Sequence, residues 1–269
     1  MELGRIDTRS FYKNGFATIS PDQYTTSELD ELKVRAQGII RESDLKGASI
    51  FTTNEQTRHS DKYFLDSAHS VRCFFEEEGK SQEIPLEERI NKIGHNLHNK
   101  EPLFKRFCDK ALQSGLLAKI GYKKPIIAQS MYIFKQPRIG GAVHPHRDGT
   151  FIRTTPHSCL ALWWAADECN QNNGCLWVKP GSHKEKITRY FQKDPESESV
   201  TFTGEPESDD LSGYIPVECP KGTLVIMDGG LLHYSKKNTS SHPRHAFSLH
   251  AVESEGTSWH PLNWIFRLF

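Results

Sequence analysis

The residues best suited to chemistry in this chain are His146, Asp148, His233 and Arg244. Two imidazoles and one carboxylate are the ligand set of non-haem Fe(II) oxygenases, in which the remaining coordination positions stay open for a co-substrate and O2. Arg244, shortly after the last histidine, adds a planar fork that can grip a dicarboxylate through paired hydrogen bonds, with the Ser235 hydroxyl as a second donor. Residue types alone are weak evidence. The pattern H-x-[DE] occurs as His59 with Asp61, His146 with Asp148 and His183 with Glu185, and roughly one or two such matches arise by chance in a chain of this composition. A zinc hydrolase could use the same His and Asp ligands, although hydrolysis needs no dicarboxylate anchor.

Neighbourhood separates the three pairs. His146 and Asp148 follow the strand-like run Gln129-Ser-Met-Tyr-Ile-Phe-Lys-Gln136 and a turn over Pro137 to Gly141, and they precede the apolar run Leu160 to Ala166. Alternate residues of an extended segment share a face, so both side chains can aim at one metal. His59 and Asp61 lie in a polar stretch between helical segments, and His183 closes Lys179-Pro-Gly-Ser-His183, a turn that reads as architectural. His233 ends the turn Asp228-Gly-Gly-Leu-Leu-His233 after the buried strand Thr223 to Met227. Arg244 opens the strand His245-Ala-Phe-Ser-Leu-His250, where Ala246, Ser248 and His250 alternate with Phe247, Leu249 and Ala251. Taken singly, His233 reads as a core imidazole bonded to a carbonyl and Arg244 as a surface or salt-bridged residue; in sequence they favour a metal site with an anchor. Other motifs fail. His146-Arg-Asp148 lacks the kinase asparagine, since Arg153 stands there, and Gly79-Lys-Ser81 lacks the P-loop glycine, since Phe74 stands there.

The elements that must position these residues divide the chain. The first half reads mostly as helix: Ser27 with Asp30 resembles a capping box, and Leu29, Leu32, Ala36, Ile39 and Ile40 then share a face. Similar patterns run over Asp66 to Glu78, Leu86 to Asn96, and Glu101 to about Ile120, with Gly15 to Ile19 a short strand. The second half predicts strands over Ala128 to Lys135, Leu160 to Ala166, Cys175 to Val178, Leu224 to Met227 and His245 to Glu253, and their spacing without helices suggests an antiparallel sandwich or barrel. Asp194 to Asp210, with Asp194, Glu196, Glu198, Glu205, Glu207, Asp209 and Asp210, reads as a solvated flexible loop able to act as a lid.

Composition narrows the function classes. Lys plus Arg and Asp plus Glu both number 34, so no net charge draws the chain to nucleic acid or to an anionic membrane. No apolar stretch approaches the roughly 20 residues of a spanning helix. The N-terminus has no secretory organisation, the C-terminus no peroxisomal Ser-Lys-Leu, and the six cysteines no C-x-x-C pair; a cytoplasmic protein with reduced thiols is expected. Asn238-Thr239-Ser240 fits a glycosylation acceptor only by accident on that reading.

The chain also resembles the phytanoyl-CoA dioxygenase family of Fe(II)/2-oxoglutarate oxygenases, from Asn14-Gly-Phe-Ala-Thr18 to Trp264. The resemblance is carried by Ile90-Asn-Lys-Ile-Gly-His95, Gln129 to Pro137, Pro145-His-Arg-Asp148, Asn173-Gly-Cys-Leu-Trp177, Pro180-Gly-Ser-His183 and His233 to Arg244. It implies one domain over 1–269: a mainly β, double-stranded β-helix (jelly-roll or cupin-like) core over about 126–269, wrapped by a mostly helical part over about 1–125. By position, His146, Asp148 and His233 match the iron ligands. Arg244 and Ser235 match residues that hold the distal carboxylate of 2-oxoglutarate, and Lys92, Met131 and Trp164 match further positions of the co-substrate pocket. Arg147 departs from the expected Gln of the His-x-Asp motif, which bears on the pocket mouth. Asp148 itself favours hydroxylation, because halogenases of the family carry a small residue there.

The expected activity is therefore an Fe(II)- and 2-oxoglutarate-dependent hydroxylation of a C–H bond, consuming O2 and releasing succinate and CO2, with ascorbate as a supporting reductant. Metal and co-substrate supply the hard chemistry, and the protein supplies geometry and shelter. The substrate is expected to be a small molecule, an acyl-CoA or another, rather than a protein or nucleic acid. A zinc-dependent hydrolase and a non-catalytic 2-oxoglutarate-binding protein are the alternatives.

Overall fold

A computed structural model describes residues 6–21, 23–51, 62–81, 83–196 and 199–265. Its helices are α1 (Thr8–Asn14), α2 (Gln23–Glu42), α3 (Lys62–Asp66), α4 (Leu97–Lys100) and α5 (Pro102–Gln113). The strands are β1 (Phe16–Ile19), β2 (Val71–Phe75), β3 (Ile90–His95), β4 (Pro125–Ile133), β5 (Val143–His146), β6 (Thr154–Thr155), β7 (Leu160–Ala165), β8 (Leu176–Val178), β9 (Tyr190–Lys193), β10 (Val200–Thr203), β11 (Ile215–Val217), β12 (Leu224–Asp228), β13 (His233–Ser235), β14 (Ala246–Glu253) and β15 (Ser258–Trp259). Seven of them form one antiparallel sheet in the order β1-β12-β7-β14-β4-β3-β2, and four form a second in the order β11-β8-β13-β5. Two facing antiparallel sheets make this a mainly β protein with a double-stranded β-helix core.

Strand parity explains the layers. On β7, Leu160, Leu162 and Trp164 join an apolar cluster with Leu29, Leu32, Ala36, Ile39 and Ile40 of α2 and with Phe104, Phe107, Cys108 and Ala111 of α5. The alternate residues Ala161, Trp163 and Ala165 pack instead with Leu176, Val178 and Val217 of the small sheet. A strand covered on both faces can be apolar throughout, as Leu160 to Ala165 is. On β14 the outward Phe247, Leu249 and Ala251 meet the helices, whereas Ser248 and His250 turn inward to line a cavity between the sheets.

Four expectations are corrected. The segments Asp66 to Glu78 and Leu86 to Asn96 are not helical in the main; they carry β2 and β3 at one edge of the large sheet. The ladder slips between Phe74 and Phe75, so that Phe75 opposes Ile90 while Phe74 opposes Lys92. A bulge of this kind breaks strict alternation, and Ile90 and Ile93 both reach the helix-facing cluster at a spacing that mimics a helical face. The N-terminal part is therefore less of a helical wrap than expected, since β2 and β3 join the expected strand β1 in the large sheet. Helix α2 starts at Gln23, ahead of the Ser27 and Asp30 box. The acidic stretch after Asp194 begins as a hairpin, with β9 paired to β10 and Asp194 N–H donating to Ser199 O at 3.0 Å; Glu198 lies outside the described residues.

All six cysteines are buried and free. No helix among the described residues is long and apolar enough to cross a membrane.

Candidate active site

Strands β5 and β13 are antiparallel neighbours, and His146 stands directly opposite His233. Their rings lie 4.2 Å apart between centroids. Asp148 opens a short 3-10 turn, Asp148–Thr150, just past β5, and alternation returns its side chain to the face of His146. Asp148 Oδ1 lies 3.8 Å from His146 Nε2 and 3.7 Å from His233 Nε2, and one donor atom from each of the three residues falls within 4.8 Å of the others.

The backbone presets the imidazoles. His146 Nδ1 is 2.9 Å from His144 O, and His233 Nδ1 is 3.0 Å from Leu231 O. A carbonyl only accepts, so Nδ1 donates in both rings and Nε2 is the atom left to face Asp148. Two donors on one ion at roughly 2.0–2.2 Å each can be no more than about 4.4 Å apart, and both separations from Oδ1, 3.8 and 3.7 Å, fall within that limit. Burial by itself would raise the Asp148 pKa, but the imidazoles of His250, His233 and His146 overcome it and hold the carboxyl below its usual range.

The cluster opens on a cavity of about 370 Å³ between the two sheets. Arg244 lines it and is 2% exposed. Its backbone N–H donates to Lys135 O at 3.1 Å, its Nε donates to Gly174 O at 3.2 Å, and its guanidinium lies 5.3 Å from the centre of the Trp163 ring. Nη1 is buried without a hydrogen-bond partner. Burial lowers the pKa of this guanidinium from its ordinary value, and a desolvated cation with an open donor is a receptor for an anion. Ser235 lines the same cavity.

Lys92 and Met131, from β3 and β4, also line the cavity, with Lys92 Nζ 3.7 Å from Met131 Sδ and 3.5 Å from the centre of the Phe51 ring. Trp164 does not. It is fully buried on the helix side of β7, stacked on Phe247 and edge-on to Phe107, and its neighbour Trp163 faces the cavity. The positional match is one residue off in a strand, which is a change of face.

Lys135 and His250 are polar residues of the cavity to which the sequence assigned no role. Lys135 is buried at a φ of 39°, a left-handed backbone that non-glycine residues rarely adopt. Its Nζ donates to Ser235 Oγ at 2.9 Å and also to Gly141 O. Burial first, then the charge of Arg244, bring its pKa down to about 7. His250 places Nε2 3.1 Å from Asp148 Oδ2. The alternation of Ser248 and His250 with Phe247 and Leu249 was the signal for His250; Lys135 closed a predicted strand and gave none.

Arg147, between the two clustered residues, points the other way. Its guanidinium is buried, pairing with Glu185 at 2.6 Å and Glu207 at 3.0 Å and donating to Ser182 O at 2.7 Å. Glu207, with Pro206 and Asp209, lines the cavity, so the acidic segment is pinned at Glu207 while its neighbours on either side stay exposed. The His183 ring instead packs at the first turn of the chain, with Nε2 3.2 Å from Tyr12 O. His59 and Asp61 lie outside the described residues.

The family model described as phytanoyl-CoA dioxygenase (PhyH) matches residues 11–246. A protein named phytanoyl-CoA dioxygenase from Arabidopsis thaliana is 40% identical over 262 residues, 96% of this chain and 91% of that one. Phytanoyl-CoA dioxygenase domain-containing protein 1 of Rattus norvegicus is 36% identical over 276 residues, 98% and 94% of the two chains. Among solved structures, the non-heme alpha ketoglutarate dependent epimerase SnoN from nogalamycin biosynthesis superposes with a TM-score of 0.63 at 12% identity, covering 94% of this chain and 83% of that one. EctD from S. alaskensis, with 2-oxoglutarate and 5-hydroxyectoine, gives 0.61 at 18% identity, covering 91% and 74%.

Proposed function

This chain belongs to the phytanoyl-CoA dioxygenase family and is an Fe(II)- and 2-oxoglutarate-dependent dioxygenase, and from that premise we propose that it hydroxylates a C–H bond of a small molecule. The balance is one 2-oxoglutarate, one O2 and one substrate giving succinate, CO2 and the hydroxylated product, with one oxygen atom in succinate and one in the product. Bound iron and 2-oxoglutarate supply the activation of O2. His146, Asp148 and His233 would hold the metal, and the donor set fits it: two imidazoles that turn Nε2 toward one carboxylate held ionised by its neighbours. Arg244 and Ser235 would hold the distal carboxylate of 2-oxoglutarate, with Lys92 and Met131 along its length.

The observation that carries this reading is the buried, unpartnered Nη1 of Arg244 in the same cavity as the His-Asp-His cluster. A zinc hydrolase has no use for it. A cavity of about 370 Å³ is within the range of roughly 300–1,000 Å³ typical of small-molecule sites. Phe51, Phe64, Phe151, Phe202 and Trp264 form an aromatic wall there, which suits an acyl-CoA's hydrocarbon or another apolar substrate.

With Fe(II), ascorbate and O2 supplied, purified protein is expected to convert 2-oxoglutarate to succinate, and substrate is found as the compound that stimulates this turnover. Asp148→Ala should abolish succinate formation while the circular dichroism stays native. Full turnover in that variant, or turnover with zinc and no 2-oxoglutarate, overturns the proposal. Binding of 2-oxoglutarate with no succinate above background would make the protein a 2-oxoglutarate binder instead.

A further inference from the structure

Asp148 has two oxygens, and the structure gives them different partners. Oδ1 faces Nε2 of His146 and of His233, whereas Oδ2 is turned to His250 Nε2 at 3.1 Å. A carboxylate can only accept, so His250 carries its proton on Nε2. On the other edge of the ring, Gln129 Nε2 is 3.0 Å from Nδ1 and donates to it, which fixes the orientation of the ring. Gln129 stands opposite His250 in the β4–β14 register, and the ladder slips immediately after that pair, between His250 and Ala251. Bulges of this kind re-aim side chains. Gln129, His250 and Asp148 are all buried, so the bonds are not shared with bulk water.

A carboxylate can bind a metal through one oxygen or through both. An octahedral ion held by three protein atoms keeps three positions, two for a chelating keto acid and one for O2. If Asp148 chelated through both oxygens, that last position would be lost. We infer that His250, oriented by Gln129, is a positioning residue that ties up Asp148 Oδ2, restricts the carboxylate to one-oxygen coordination and so keeps the O2 position open. The inference rests on the proposed metal role of Asp148.

Mn(II) serves as a redox-stable probe. Water-proton relaxation per bound Mn(II) reports the number of coordinated waters whatever the affinity. His250→Leu should lower it by about a third, one position of three, and His250→Gln, whose amide reaches a similar point and can donate, should restore it. Gln129→Leu, which leaves His250 in place but unoriented, should fall between. In turnover assays His250→Leu should raise the apparent KM for O2 about tenfold, with the KM for 2-oxoglutarate within about twofold of wild type. A residue that merely filled space would shift thermal stability without this split or this rescue. Unchanged relaxation in both His250→Leu and Gln129→Leu overturns the inference alone, whereas a wild-type protein that binds no Mn(II) removes the metal reading and the inference with it.

Discussion

Lys135 is a cation in a place where charge is hard to keep, and three features of its surroundings explain why it stays. Its carbonyl accepts from the Arg244 N–H and the Asn238 amide, which holds the left-handed backbone in place. Its ammonium is bonded to Ser235 and Gly141 O, and the carboxyl of Glu76 favours the charge against the opposing charge of Arg244. With the pKa down to about 7 against roughly 10.4 unfolded, the unfolded chain binds this proton more readily between those values. The folded state therefore gains stability from this group as pH rises through that window, and bears the full cost below about 7. A bound dicarboxylate next to Lys135 reverses the preference by favouring the ammonium, so binding takes up a proton above pH 7. We expect the affinity for 2-oxoglutarate, titrated with Mn(II) in place of iron, to weaken between pH 7 and 9 by up to about tenfold per unit, and Lys135→Met to flatten that slope. Parallel pH profiles for the two proteins would show that Lys135 does not meet the co-substrate.

One strand, β7, carries two adjacent tryptophans with opposite fates. Trp164 fills the helix-facing core between Phe107 and Phe247, and Trp163 lies under the Arg244 guanidinium. Trp164→Ala should cost about 3–5 kcal/mol of unfolding free energy in urea, with 2-oxoglutarate affinity kept in the folded fraction. Trp163→Ala removes a cation–π contact worth roughly 0.5–2 kcal/mol, and should weaken 2-oxoglutarate binding several-fold. The reverse pattern would mean that the parity of β7 is wrong. Parity was readable for β14, where polar and apolar residues alternate. In β7 both faces are buried and apolar, so nothing in Leu160 to Ala165 tells one face from the other.

At the scale of the molecule, the site is shared between the sheets. The small sheet and its loops bring His146, Asp148 and His233, and the large sheet brings Lys92, Met131, Trp163 and His250. A metal and a dicarboxylate bound between them would stabilise only the assembled pair. At about 100 times its dissociation constant each ligand should add roughly 2.7 kcal/mol, which is about 5–11 °C in Tm at roughly 2–4 °C per kcal/mol for a protein near this size. Mn(II) should produce the first increment and 2-oxoglutarate the second. Asp148→Ala should lose the first, and Arg244→Gln should keep it while losing the second. No shift with either ligand would mean that this cavity does not bind them.

The sequence alone determined the β-rich second half, the buried faces of α2 and α5, and the neighbourhood that singles out His146, Asp148, His233 and Arg244, because periodicity and turn residues are local properties of the chain. Tertiary structure decided the rest. Gln129 meets His250 and Lys135 meets Ser235 across separations of 121 and 100 residues, and no local pattern records such pairings. A bulge at Phe74 and Phe75 turned a strand pair into an apparent helical stripe, and a strand buried on both faces hid which tryptophan looks inward. Arg147 reads as a change at the pocket mouth in the sequence; only the packed structure shows a buried cation turned away from the cluster and clasping Glu185 and Glu207. Alternation fixes which residues can share a face, but sheet packing decides what that face meets.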